Sequence, residues 1–144
     1  MKTKLVILLQ IIILLSIPPG CVKEEEDVVP DVAVNFQINL DYPQFSSLNS
    51  VNNAILYSNE GYKRNGVIVY RFSLDEFFAF DATCPQHIET ATAIILDRDG
   101  TAGSATCPEC NTIYFFANMG YPAEGHSLKR YNVTFQGNIL NVYN

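Results

Sequence analysis

Positive charge is scarce in this chain of 144 residues. Lysine and arginine together number nine, against fifteen aspartates and glutamates, and the formal net charge at pH 7 is −6. The first twenty positions hold two of the basic residues, so the rest of the chain carries seven basic and fifteen acidic side chains. Nucleic-acid-binding domains normally present a basic face, because they neutralise phosphates. The charge balance therefore argues against a nucleic-acid partner.

Catalytic signatures are also lacking. The sequence has no serine nucleophile elbow with matching histidine and aspartate, no phosphate-binding loop and no recognisable pair of catalytic carboxylates. Asp97 and Asp99 flank a predicted turn, where aspartate is expected for turn chemistry alone. We therefore predict that the protein is not an enzyme.

No apolar run is long enough to cross a membrane. The longest, Leu5–Ile17, has 13 residues, whereas a spanning helix needs about 20. Lys2 and Lys4 precede this run, and two prolines and a glycine follow it at positions 18–20. A short basic start, an apolar centre and a small residue before a cut are typical of a signal peptide. We assign residues 1–20 to such a leader.

The sequence Pro18-Pro19-Gly20-Cys21 resembles a bacterial lipobox, with proline where that motif usually has leucine. The resemblance implies that Cys21 is acylated, with palmitate among the expected chains, and becomes the mature N-terminus. Plain secretion is the alternative. The following Lys23 and three glutamates resemble the signal that sends some lipoproteins of Gram-negative bacteria to the outer leaflet. We expect an outer membrane lipoprotein that faces the periplasm or the cell surface, with residues 21–33 as a flexible acidic tether.

The remainder of the chain, residues 34–144, is predicted to be all-β. Apolar and polar residues alternate from Val32 to Leu40, which indicates a half-buried strand. Asn65-Gly66 predicts a tight hairpin turn, and Gly137-Asn138 predicts another. The segment from Phe45 to Tyr57 is assigned to strand and loop. The other predicted strands are 67–72, 76–80, 93–96, 113–116, 131–135 and 139–143. Short strands separated by turn residues favour a small sandwich or barrel.

Two short motifs carry the only metal-binding pattern that we find in the sequence. They are Cys84-Pro85-Gln86-His87 and Cys107-Pro108-Glu109-Cys110. Each motif places two residues between its ligands, so that one turn can present both side chains to one site. If Cys21 is lipidated, three cysteines remain, and an odd number does not fit a pure disulfide framework. Three thiols and one imidazole provide four soft ligands, enough for a tetrahedral site.

From Phe78 to the C-terminus, and upstream to residue 34, the chain resembles the Rieske domain family. Cys84 and Cys107-Pro108 match the cysteines of the two cluster loops, and the segments 128–133 and 137–142 match the closing hairpin. The resemblance implies an antiparallel β-sandwich with a small two-loop subdomain that holds a 2Fe–2S cluster. It also implies that Thr112 bonds a cluster sulfur and that Tyr114 donates to a cysteine sulfur. Gly120 and Gly125 match the loop that covers the cluster.

The ligand set departs from that family in both loops. Gln86 stands where the first histidine ligand is expected, and His87 follows one residue later. Cys110 stands where the second histidine is expected, and Asn111 replaces the usual glycine. Asparagine tolerates the left-handed conformation that glycine would adopt there.

Three hypotheses for the site follow. The first is a modified 2Fe–2S cluster held by Cys84, His87, Cys107 and Cys110, which would make the protein an electron carrier with a redox partner protein. The second is one structural zinc ion on the same four residues. The third is a domain without metal, in which two of the cysteines, for example Cys84 and Cys107, form a disulfide and the fold serves as a binding or structural module.

Other residues have simpler interpretations. His126 lies in the predicted cover loop, and we expect an exposed histidine there, with a replacement ligand as the alternative. The phenylalanines at 77, 78, 80, 115 and 116 are predicted to be core, with a partner surface as the alternative. We expect a monomer that contacts the membrane through its lipid.

Overall fold

The structure is a computed structural model that describes residues 27–144. This part of the chain forms nine strands and five short 3-10 segments. The strands are β1 (Asn35–Asn39), β2 (Ala54–Tyr57), β3 (Val67–Arg71), β4 (Phe77–Asp81), β5 (Ile95–Leu96), β6 (Ser104–Thr106), β7 (Ile113–Phe115), β8 (Arg130–Gln136) and β9 (Ile139–Tyr143). The 3-10 segments are Pro43–Asn49, Tyr62–Arg64, Pro85–His87, Asp97–Gly100 and Phe116–Asn118. The predicted all-β class is confirmed.

The strands form two antiparallel sheets. The larger has six strands in the order β1-β9-β8-β4-β3-β2, and the smaller has three in the order β5-β6-β7. The larger sheet is curled, and its two outermost strands approach each other through side chains. The rings of Phe36 on β1 and Tyr57 on β2 stack with centroids 3.9 Å apart and planes within 5°. This stacking brings the two sheet edges together where no backbone ladder joins them.

Strands β3 and β4 are buried on both faces, which explains their uninterrupted apolar sequences. Val67, Val69 and Ala79 face a core inside the curl of the larger sheet, together with apolar residues of β1 and β9. Ile68 and Phe80 point the other way, into a second core between the two sheets. Besides these two, the second core contains Ala54, Tyr70, Phe78, Ala82, Cys84, Ile94, Ala105, Cys107, Tyr114, Phe116 and Leu128.

Most sequence predictions of strands are confirmed, and the hairpin through Gly137-Asn138 joins β8 and β9 as expected. The tight turn predicted at Asn65-Gly66 is wrong, because β2 ends at Tyr57 and residues 58–66 connect it to β3. Asn65 has an ordinary φ of −65°. Strand β6 was not predicted. Of the five phenylalanines, Phe115 is exposed, and the other four are buried in the cores.

The chain already packs on the domain before β1. Val29 is buried, and Asp27 and Asp31 both pair with the buried ammonium group of Lys129. The side chain of Asn144 accepts a hydrogen bond from the backbone N–H of Val34 at 3.0 Å. Part of the segment that the sequence predicts to be a tether therefore contacts the folded domain. Within residues 27–144, no helix is long and apolar enough to cross a membrane.

Candidate metal centre

The predicted ligands lie on two loops at one end of the second core. The first ligand loop, residues 84–92, leaves β4 and leads toward β5. The second ligand loop, residues 107–112, connects β6 to β7. It lies between Thr106, the last residue of β6, and Ile113, the first residue of β7, which pair with each other. Both loops begin with a buried cysteine, because Cys84 and Cys107 belong to the apolar core itself. The core therefore fixes the positions of the Cys84 and Cys107 thiols.

Hydrogen bonds close the first ligand loop. The backbone N–H of Cys84 donates to the Thr92 carbonyl at 2.8 Å, and an isolated bridge pairs Thr83 with Ala93. The side-chain amide of Asn65 donates to Thr83 Oγ1 at 2.9 Å and to the Ala91 carbonyl at 2.8 Å. Asn65, which the sequence assigned to a hairpin turn, instead braces this loop.

A buried carboxylate fixes the base of the same loop. Asp81 ends β4 and is fully buried, where an uncompensated charge would be costly. It accepts hydrogen bonds from the backbone N–H of Tyr62 at 2.6 Å, the N–H of Thr83 at 2.8 Å and the hydroxyl of Tyr131 at 2.7 Å. Burial, and secondly this carboxylate, raise the pKa of Tyr131, so the hydroxyl stays protonated and donates. Asp81 thereby connects the start of the first ligand loop to β4, to β8 and to the 3-10 segment Tyr62–Arg64.

The second ligand loop is a tight turn. The N–H of Cys107 donates to the Thr112 carbonyl, and the N–H of Asn111 donates to the Cys107 carbonyl, both at 2.9 Å. Asn111 has a φ of +59°. The expectation that asparagine takes the left-handed conformation after the fourth ligand is confirmed.

The four predicted ligand atoms converge. The Sγ atoms of Cys84, Cys107 and Cys110 and a ring nitrogen of His87 all lie within 4.8 Å of one another. His87 Nδ1 is 3.7 Å from Cys84 Sγ and 3.8 Å from Cys107 Sγ, and the sulfurs of Cys84 and Cys110 are 3.9 Å apart. A cluster of three thiols and an imidazole in this arrangement can bind a metal.

The ligands divide into an inner and an outer pair. Cys84 and Cys107 have 0% exposure, the His87 side chain is 24% exposed, and Cys110 is exposed. All three cysteines are free thiols, so the disulfide between Cys84 and Cys107 that belonged to the third hypothesis is not formed. A disulfide would need a sulfur separation of about 2 Å.

Thr112 and Tyr114 contact the thiols. Tyr114 Oη lies 3.2 Å from Cys84 Sγ, and Thr112 Oγ1 lies 3.1 Å from Cys110 Sγ. Burial, and secondly Cys84, raise the pKa of Tyr114, so that its hydroxyl stays protonated and is able to donate to the sulfur.

The two thiols that touch these hydroxyls differ in acidity. Burial raises the pKa of Cys84 to about 12, although the Tyr114 hydroxyl opposes it. Burial also acts to raise the pKa of Cys110, but hydrogen bonds with the Thr112 side chain and backbone and with Cys107 and Cys84 lower it to about 7. In the absence of metal, the outer thiol therefore ionises more readily than the buried one.

Sequence reasoning missed a set of polar residues that link the two loops. Glu109 lies 3.6 Å from His87 Nε2 through Oε1 and accepts hydrogen bonds from Thr92 and Thr90 through Oε2. The Thr92 hydrogen bond is the largest cause of the lowered pKa of Glu109. The position of Glu109 between the two cysteines of the second motif is the one sequence signal that could have pointed to it, since metal-binding histidines commonly pair with carboxylates.

Gln86 contacts the segment around Gly125, which the sequence predicts to be a cover loop. A methyl group added at Gly125 would overlap the Gln86 side-chain amide. Gln86, at the position where the Rieske resemblance expects a ligand, therefore contacts the cover loop. His126 is exposed, as expected, and is not part of the converging group in residues 27–144.

No protein-family model matches the chain, and no curated protein matches it. The predicted leader and the lipidation site at Cys21 lie outside the described residues.

Proposed function

We propose that Cys84, His87, Cys107 and Cys110 bind a single tetrahedral metal ion, that zinc is the ion, and that its role is to clamp the two ligand loops together. The observation that carries the proposal is the convergence of all four ligand atoms within 4.8 Å. In a tetrahedral zinc site two sulfurs lie about 3.8 Å apart, and a sulfur and a nitrogen about 3.6 Å apart. The Cys84–Cys110 sulfur distance of 3.9 Å and the sulfur–nitrogen distances of 3.7 and 3.8 Å fit these values.

The chemistry of the ligands supports the same ion. Thiolates and imidazole are the preferred ligands of zinc, and four protein ligands leave no open coordination position. Sites closed in this way are structural rather than catalytic. The high pKa of Cys84 means that metal binding must displace a proton from a buried thiol, which the charge of the ion favours.

The proposed setting of the site comes from the sequence. The Pro18-Pro19-Gly20-Cys21 motif supports a lipoprotein held in the outer membrane by an acylated Cys21. The two cysteine loops and the closing hairpin support a domain of Rieske type. We propose a monomeric, membrane-anchored domain in which a zinc ion replaces the cluster of that family.

A second candidate function is electron transfer by a modified 2Fe–2S cluster. The observation in its favour is the division of the ligands into a buried pair, Cys84 and Cys107, and an outer pair, His87 and Cys110. In Rieske centres two cysteines bind one iron and two histidines bind the other. However, a two-iron cluster distributes its ligands over two ions, so ligands of different irons need larger separations than those found here. The geometry therefore favours the single ion.

Metal analysis and absorption spectroscopy of the full chain, extracted in mild detergent and purified without oxygen, distinguish the two candidates. We expect a colourless protein with one zinc ion per chain. Broad bands between roughly 320 and 600 nm that bleach on reduction would instead indicate thiolate-bound iron and sulfide. A colourless protein that neither contains nor takes up zinc would contradict both.

A further inference from the structure

A carboxylate faces His87 on the side away from the thiols. His87 directs Nδ1 toward the sulfurs of Cys84 and Cys107, at 3.7 and 3.8 Å. The opposite ring nitrogen, Nε2, lies 3.6 Å from Glu109 Oε1. The imidazole is therefore placed between the predicted metal position and a negative charge.

This placement selects one form of the imidazole. A nitrogen that binds a metal must be unprotonated, so a neutral His87 that binds through Nδ1 carries its proton on Nε2. The protonated Nε2 then lies 3.6 Å from Glu109 Oε1, and the negative charge of the carboxylate stabilises it electrostatically. Metal-binding histidines commonly have a carboxylate or carbonyl in this position, which fixes the ring orientation and strengthens the ligand.

The carboxylate is itself held in place. Glu109 Oε2 accepts hydrogen bonds from Thr92 Oγ1 at 2.5 Å and from Thr90 Oγ1 at 3.3 Å. The two hydroxyl oxygens also lie 2.8 Å apart, so the three side chains form one polar group. Because the threonines belong to the first ligand loop and Glu109 to the second, this contact joins the loops next to the site.

The corresponding residue of the other motif has a different partner. Gln86 and Glu109 each precede the outer ligand of their motif, His87 or Cys110. Gln86 packs against Gly125 in the cover loop, whereas Glu109 crosses to the facing ligand loop. A contact with the facing ligand loop is therefore not a general consequence of this motif position.

We infer that Glu109 is the positioning residue of the metal site: it orients His87 so that Nδ1 faces the metal and Nε2 keeps the proton. This inference rests on the proposed metal-binding function. Glu109 also sets the distance between the two ligand loops through Thr90 and Thr92.

The test compares Glu109→Gln with Glu89→Gln in the full chain. Both variants remove one negative charge, but Glu89 is an exposed residue of the first ligand loop with no hydrogen bond or ion pair in residues 27–144. A glutamine at 109 can still accept the Thr92 hydrogen bond, so the variant removes the charge and retains the link. Zinc affinity is measured by competition with a chelating dye. The protonated ring nitrogen of His87 in the metal-free protein is identified by ¹⁵N NMR.

We expect Glu109→Gln to bind zinc about 10- to 100-fold more weakly than the wild type, and Glu89→Gln to bind it equally well. We also expect His87 to lose its preference for a proton on Nε2 only in Glu109→Gln. Equal affinities for the two variants, or a weaker affinity with an unchanged tautomer, would overturn the role of Glu109. If the wild type itself binds no zinc, the proposed function is wrong as well.

Discussion

At the scale of single residues, Cys84 and Cys107 each have two roles. Cys84 and Cys107 are core residues as well as candidate ligands, packed with Tyr114 and Phe116 between the two sheets. Free cysteine behaves as a small apolar side chain in such a place. The core therefore positions these two sulfurs before any metal binds, whereas His87 and Cys110 depend on the conformation of their loops.

The first prediction concerns Cys107. Cys107→Ser should abolish metal binding, because the hydroxyl that replaces the sulfur is a poor ligand for a soft site. It should also remove the stabilisation that bound metal provides, about 3 kcal/mol when free zinc is several hundred times its dissociation constant. Metal content and thermal unfolding with and without zinc measure both effects.

Tyr114→Phe is the matched control for this prediction. It removes only the hydroxyl 3.2 Å from Cys84 Sγ and leaves all four ligands and the buried ring in place. This variant should keep its metal. An unchanged metal content and melting temperature in Cys107→Ser would contradict both the zinc site and the iron–sulfur alternative.

At the scale of elements, the close approach of the small sheet to β2 determines where the second ligand loop lies. The 3-10 segment Asp97–Gly100 connects β5 to β6 and packs against β2. Its first residue, Asp97, accepts hydrogen bonds from Ser104 at 2.6 Å and from Thr106 at 2.8 Å. These contacts hold β6, and β6 leads directly into Cys107.

Gly100 is a position at which the 3-10 segment Asp97–Gly100 packs closely against β2. Its φ is +88°, and a methyl group there would overlap the backbone carbonyl of Ala54 on β2. Gly100→Ala should therefore destabilise the protein by about 2–4 kcal/mol, from both backbone strain and the displacement of β2. Urea unfolding of the metal-free protein measures the loss.

Gly137→Ala controls for the backbone contribution alone. Gly137 has a similar positive φ of +62°, but no atom lies within 4 Å of an added methyl group. We expect Gly137→Ala to lower the free energy of unfolding by about 1 kcal/mol. If Gly100→Ala and Gly137→Ala lower the free energy of unfolding equally, contact with β2 does not constrain the small sheet.

At the scale of the whole molecule, the chain length limits how far the folded domain can lie from its proposed anchor at Cys21. The chain already packs on the domain from residue 27, through Asp27, Val29 and Lys129. Five residues lie between that point and Cys21, so six Cα-to-Cα steps join the two, and these span at most about 20 Å. An acylated Cys21 would therefore hold the domain next to the membrane surface.

Lipid attachment at Cys21 is directly testable. Cys21→Ala should abolish incorporation of a labelled fatty acid and release the protein from the membrane fraction, because one acyl-bearing residue provides the anchor. Cys110→Ala, which removes an exposed cysteine, should keep both the label and the membrane association. A variant at Cys21 that remains labelled would contradict the lipid anchor.

Local sequence was sufficient to predict those strands that have a strong hydrophobic pattern. The alternation around Phe36 and the continuous apolar runs of β3 and β4 directly reflect burial on one face or on both. Strand β6, Ser104–Thr106, has no such pattern, and it becomes a strand because β5 and β7 pair with both of its edges. Asn65 likewise resembles a turn residue locally but is used for contacts with Thr83 and Ala91.

The sequence by itself determined the all-β class and the four residues of the candidate site, because both depend on the spacing of residue types along the chain. Only the tertiary structure decided how far apart the four ligand atoms lie, and hence that they can bind a metal together. It alone revealed Glu109 beside His87, since these residues lie on different loops. Distances across loops depend on how the two sheets pack, and no local pattern in the chain records that packing.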